Sequence, residues 1–129
     1  NGTNCLVMSE VVSPSSSSSS SLHAATSRFL TLLTTPGHLD LLPANVSASV
    51  EAAPAGSPAV NVTLVTDAPA ILVQLTTLAS GRFSENVLTL TAAVPTTVSF
   101  RAFSSAVDVS LLKQSLRIEH AASSMQVTR

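Results

Sequence analysis

The chain has no tryptophan, no tyrosine, one cysteine and only four phenylalanines. Each shortage closes off a class of protein. With Cys5 alone, neither an internal disulfide nor a multi-cysteine zinc site can form, and Cys5 reads as a buried thiol on a strand. The Cys–Trp–Cys pin of antibody domains is excluded for the same reason. Sugar sites usually stack the ligand on exposed rings. Here Phe29, Phe83 and Phe100 are best placed in a core, and Phe103 has the opposite parity to Phe100 and faces out, so direct carbohydrate binding by this chain is not expected. Charged residues make up 10% of the chain and the net charge is -1. That balance argues against nucleic acid or an acidic membrane surface as the main partner. No apolar run approaches the ~18–20 residues needed to cross a bilayer, so no membrane insertion is expected. A glycine-rich phosphate loop is also missing, and no cofactor is expected.

What is present is a hydrophobic content of 45% spread over 129 residues, enough for a single domain spanning 1–129. The chain opens on Asn1 without a methionine or a basic-then-apolar leader, which points to a mature product or a fragment. Its apolar residues alternate with polar ones in short runs. Asn4–Val12 and Thr26–Leu33 read as two strands. Val46, Ala48 and Val50 alternate with Ser47, Ser49 and Glu51; Val60, Val62 and Leu64 with Asn61 and Thr63; and Ile71, Val73 and Leu75 with Leu72, Gln74 and Thr76. Val87–Thr91, Thr97–Phe103 and Ser115–His120 complete the set. Turns fall at Thr35-Pro36-Gly37, at 53–58 and at Asp67-Ala68-Pro69. Asp108 is placed to cap one or two helical turns running through Gln114. The serine run makes 14–25 a flexible loop that gains no core, and 121–129 reads as a frayed tail. About seven to eight short strands with turns between them predict an all-β, antiparallel immunoglobulin-like sandwich.

The sharpest local feature is Gly81-Arg82-Phe83-Ser84-Glu85-Asn86, a mostly polar stretch between apolar runs. It reads as a corner, with Gly81 supplying backbone freedom and Phe83 pinning the turn to the core. Arg82 would bond carbonyl groups or a carboxylate such as Glu85, and Asn86 would tie the turn to its own backbone. GRFSEN between an apolar strand and VLTL, followed by VSFRAF and LLKQSLRIEH, resembles the closing segment of the β-mannosidases of glycoside hydrolase family two. The segment FLTLLTTPGHLDLLPANVSASV, Phe29–Val50, and the opening NCLVMSEVV resemble upstream pieces of the same domain. That family usually carries aspartate at the place of Glu85 and an aromatic residue at Val87 or Leu88.

The resemblance implies a non-catalytic, C-terminal immunoglobulin-like domain that packs against the other domains of the same hydrolase. The parent enzyme would remove terminal β-D-mannose from oligosaccharides or glycoproteins by a retaining, two-glutamate mechanism. Those glutamates lie in a separate (β/α)8 barrel, and no stretch of this chain resembles it, so no catalytic residue is carried over. Read without the family, the same residues also suit a free-standing extracellular adhesion or binding sandwich.

The chemistry-bearing residues agree with this. Nothing marks two of Glu10, Asp40, Glu51, Asp67, Glu85, Asp108 and Glu119 as a paired acid and base. His23, His38 and His120 lack ligand partners at metal-binding spacing. Serines are abundant, but no Gly-x-Ser-x-Gly elbow presents one as a nucleophile. Asn1, Asn45 and Asn61 each begin an Asn-x-Ser/Thr sequon and are candidate N-glycosylation sites. The family's compartments imply a lysosomal, vacuolar or secreted location.

Overall fold

The computed structural model of the chain describes residues 6–12, 26–33 and 41–125. They fall into two compact units, Asn1–Asp40 and Leu41–Arg129. In the first, β1 (Leu6–Val12) pairs antiparallel with β2 (Thr26–Leu32), with Leu6 opposite Leu32 and Val12 opposite Thr26. The serine-rich stretch 14–25 lies outside the described residues, as do Asn1 and Cys5.

The second unit contains β3 (Val46–Val50), β4 (Ala59–Thr66), β5 (Ala70–Thr76), β6 (Gly81–Phe83), β7 (Leu88–Leu90), β8 (Thr96–Ala102), α1 (Val109–Ser115), β9 (Arg117–Glu119) and α2 (Ala121–Met125). Its strands form two antiparallel sheets, one ordered β3-β4-β8-β6 and one ordered β7-β5-β9. This is the four-plus-three arrangement of an immunoglobulin-like sandwich, the fold class expected from the alternating pattern.

The alternation explains the layering. On β4, Val60, Val62, Leu64 and Thr66 are buried while Asn61 and Val65 are exposed. On β8, Val98 and Phe100 point inward, and across the register Val62 faces Val98 and Val60 faces Phe100. The opposite sheet contributes Ala70, Val73 and Leu75 from β5 and Leu88 and Leu90 from β7. Each such aliphatic side chain contributes about 1.5–3 kcal/mol when fully removed from water. Leu112 adds a plug from α1 and is completely buried. The helix that delivers it starts as the sequence predicts, with the Asp108 carboxylate accepting from the Leu111 N–H at 2.9 Å, which satisfies one of the free donors of the first turn.

β5 departs from strict alternation. Ala70 and Ile71 are both buried, and the register with β7 shifts between Ala70 and Val73. Leu72 takes φ 54 at that point. The irregularity is a β-bulge: Ala70, Val73 and Leu75 belong to the core cluster, while Ile71 is buried outside it.

Two expectations are corrected. Gly81–Phe83 is no turn but the edge strand β6, with Gly81, Arg82 and Phe83 opposite Ala102, Arg101 and Phe100. Its Gly–Arg–Phe alternation is short enough to be mistaken for a corner. The tail expected to fray from 121 begins instead as α2, where Ala122 is buried and the Ser123 hydroxyl donates to the His120 carbonyl at 2.7 Å while accepting from the His120 N–H at 3.1 Å.

The glycine of β6 is required by space. A Cβ on Gly81 would stand 2.5 Å from the Arg101 carbonyl oxygen and closer still to Cζ of the Phe100 ring. Backbone atoms cannot step aside, so Gly81→Ala is expected to destabilise the chain by about 1–3 kcal/mol in urea unfolding. An unchanged midpoint would show that β6 approaches β8 less closely.

Candidate functional site

The segment 81–86 is rich in polar wiring and joins the two sheets. Phe83 meets Phe100 edge-on, with ring centroids 5.0 Å apart and an interplanar angle of 62°. This is the geometry in which a ring edge meets a ring face. Ser84 prolongs the β6–β8 ladder beyond the end of β6: its N–H donates to the Ser99 carbonyl at 2.6 Å, and its hydroxyl accepts from the Ser99 N–H at 3.0 Å.

Asn86 then crosses to the other sheet. Its Oδ1 accepts from the Leu75 N–H at 2.8 Å and its Nδ2 donates to the Leu75 carbonyl at 2.9 Å. A side-chain amide thus takes the place of a neighbouring strand beside β5. Oδ1 also accepts from the Val87 N–H at 3.1 Å, the local tie expected from the sequence. The bridge to Leu75 is what sequence reasoning missed, because nothing local to GRFSEN points at a residue eleven positions earlier. Immediately after it, Val87 adopts φ 64, a left-handed conformation that is strained for a β-branched side chain.

Arg82 is not bonded to Glu85. Its cross-strand neighbour is Arg101, and both side chains are exposed. Among the described residues the ion pair is Arg117–Glu119, at 3.5 Å.

Four of the described acids are spent on structure, while Glu85 is exposed and makes no ion pair among the described residues. The Asp108 carboxylate caps α1, Glu51 accepts from the Asn61 amide at 3.1 Å, and Glu119 faces Arg117. Asp67 holds the start of β3 to the end of β4. Its two oxygens accept from the Asn45 backbone N–H at 2.8 Å and the Asn45 side-chain amide at 2.7 Å. These bonds to the charged form, the backbone one first, hold the Asp67 carboxyl below the ordinary carboxylate range. The sequon asparagines Asn45 and Asn61 are both exposed, and each amide meets a carboxylate.

One shallow groove of about 440 Å³ is lined by Thr76, Thr77, Leu78, Gln114, Ser115 and Arg117. Its serine has no free hydroxyl chemistry. Ser115 Oγ donates to the Leu111 carbonyl at 2.6 Å, accepts from the Leu78 N–H at 3.0 Å and pairs with Thr77 Oγ1 at 2.8 Å. No carboxylate or imidazole lines the groove. The arrangement fastens α1 to the loop after β5, and it offers neither a nucleophile nor a base. Among the described residues no group of three or more His, Cys, Asp or Glu side chains could hold a metal ion.

Residues 41–124 match the family model Ig_mannosidase, an Ig-fold domain. The matched stretch lies inside the second compact unit, Leu41–Arg129. No curated protein matches the chain.

Two outcomes follow from the polar wiring. Asn86→Ala leaves the Leu75 N–H and carbonyl without their partner, at a cost of about 1–3 kcal/mol in equilibrium unfolding; retention of full stability would mean that water replaces the amide without loss. Asp67 gives a pH signature. Because its folded-state pKa is depressed, its contribution is complete above the unfolded-state value and is lost as pH falls through the folded one. Asp67→Asn is therefore expected to melt below the parent chain at neutral pH, and the gap is expected to narrow as pH falls below the ordinary carboxylate range. A gap independent of pH would assign the difference to packing.

Proposed function

We propose that this chain, which belongs to the Ig_mannosidase family of Ig-fold domains, is the non-catalytic C-terminal sandwich of a β-mannosidase-type glycoside hydrolase. The observation that carries the reading is the family match over 41–124, joined to a site whose polar groups are consumed in holding two sheets together. The parent enzyme would hydrolyse terminal β-D-mannose from oligosaccharides or glycoproteins. This chain would pack against the rest of the enzyme and leave the chemistry to another domain. The exposed sequon asparagines, Asn45 and Asn61, support a lysosomal, vacuolar or secreted setting in which they carry glycans.

The test is the intact mass of the native polypeptide before and after enzymatic removal of N-glycans, paired with hydrolysis of an aryl β-mannoside. The expected result is a polypeptide several domains long that cleaves the mannoside, while the purified 129-residue chain does not. Cleavage by the chain on its own would overturn the reading, and so would a native polypeptide no longer than this chain.

A further inference from the structure

We propose that Arg82, Arg101 and Phe103 form the face by which this domain docks on an acidic, apolar-flanked surface of a neighbouring domain in the same polypeptide. The inference rests on the multidomain reading above and adds to it which surface is used and what chemistry receives it.

The two arginines stand directly opposite each other on β6 and β8. Side chains in that relation have Cβ atoms about 4.5–5.5 Å apart, and like charges placed so destabilise the pair of strands. Among the described residues no carboxylate pairs with either guanidinium, and the exposed Glu85, three residues from Arg82, forms no ion pair with it. The carboxylates of Glu51, Asp67, Asp108 and Glu119 are engaged elsewhere, and the described ion pair uses Arg117. In the next strand across, Arg101 faces Ala59, whose methyl group leaves the guanidinium groups unobstructed on that side. Farther along the outer face, the next positions are the small polar Ser99 and Asn61. The arginine pair is thus a doubly positive prominence on the β6–β8 ladder, with the Asn61–Glu51 contact farther along the same face.

Phe103 extends the same face. It follows Arg101 at the alternate position, and its N–H donates to the Ser80 carbonyl at 3.3 Å, carrying the β8 ladder just past its end. Its ring is 73% exposed. The loop that supplies Ser80 also presents Leu78, which is 80% exposed. Aromatic rings and arginine are the side chains enriched where proteins bury surface against each other. The occupant follows from the charge. Two planar guanidinium groups side by side match carboxylates by paired N–H···O bonds, and an acidic partner removes the repulsion that the isolated sheet must bear. A nucleic acid is a poor match, since the chain as a whole carries a net charge of -1 and the positive prominence is two residues wide.

The experiment is arginine labelling of the native polypeptide with a 1,2-dicarbonyl reagent, read by peptide mass spectrometry. The same protein unfolded in guanidine-free urea supplies the reference rate. The expected result is loss of labelling at Arg82 and Arg101 in the native protein, with both reacting freely in the purified chain. Native labelling of Arg82 and Arg101 at the unfolded rate, in a polypeptide that extends beyond this chain, overturns this docking face while leaving the multidomain reading intact. A native polypeptide no longer than this chain overturns both. Loss of labelling that persists in the purified chain also overturns the proposal, because the shielding would then come from the domain itself.

Discussion

Phe100 is the residue on which the second unit depends. Its side chain is among the largest that are fully buried. Phe83 meets it edge-on, Val60 faces it across β4, and Gly81 lies so close that no side chain fits between. One ring therefore fixes three strands at once. β8 can stand between β4 and β6 because the residue passing over the ring at the β6 edge has no Cβ. The close approach gives β6 its place in the sheet although the strand is only three residues long.

A sandwich also requires the chain to leave one sheet and enter the other, and at such a crossing backbone groups lose their strand partners. The chain meets this constraint with side chains. Ser84 continues the ladder of the sheet being left, and Asn86 completes hydrogen bonding in the sheet being entered. The Ser115 hydroxyl performs a comparable task between α1 and the loop after β5. These bonds are each worth about 1 kcal/mol net, and the part-buried Leu75 groups that Asn86 satisfies would cost more if left open. The same wiring explains why the unit offers so little chemistry. Hydroxyls, amides and carboxylates that serve as stitches are not free to act on a substrate. What remains exposed includes two arginines and several large apolar side chains, which suit contact between surfaces.

The strained backbone positions belong to this picture as well. Leu72 and Val87 hold left-handed conformations at φ 54 and φ 64. Leu72 lies in the bulge of β5, and Val87 follows directly on the amide that bridges to Leu75 on that strand. Packing and hydrogen bonding around them must outweigh conformational costs of about 1–3 kcal/mol each. Ordinary propensity would place neither residue there.

The sequence by itself determined the sandwich. Alternation at period two in Val60–Leu64, Val73–Leu75 and Val98–Ala102 is a direct image of which face is dry, since successive side chains on a strand point to opposite sides. The helix start at Asp108 was equally legible, because an N-cap acts within three residues of itself. The outward turn of Phe103 followed from parity alone. What only the tertiary structure decided are the relations between distant residues: β6 as an edge strand where a corner was expected, the Asn86 bridge to Leu75, the Asn45–Asp67 clamp, the cross-strand Arg82–Arg101 pair and the helix α2 where fraying was expected. A three-residue strand carries too little alternation to be told from a turn. A side-chain amide shows nothing of its partner until the fold brings the two together, because hydrogen bonding between remote groups is set by the packing of the sheets and leaves no period in the chain.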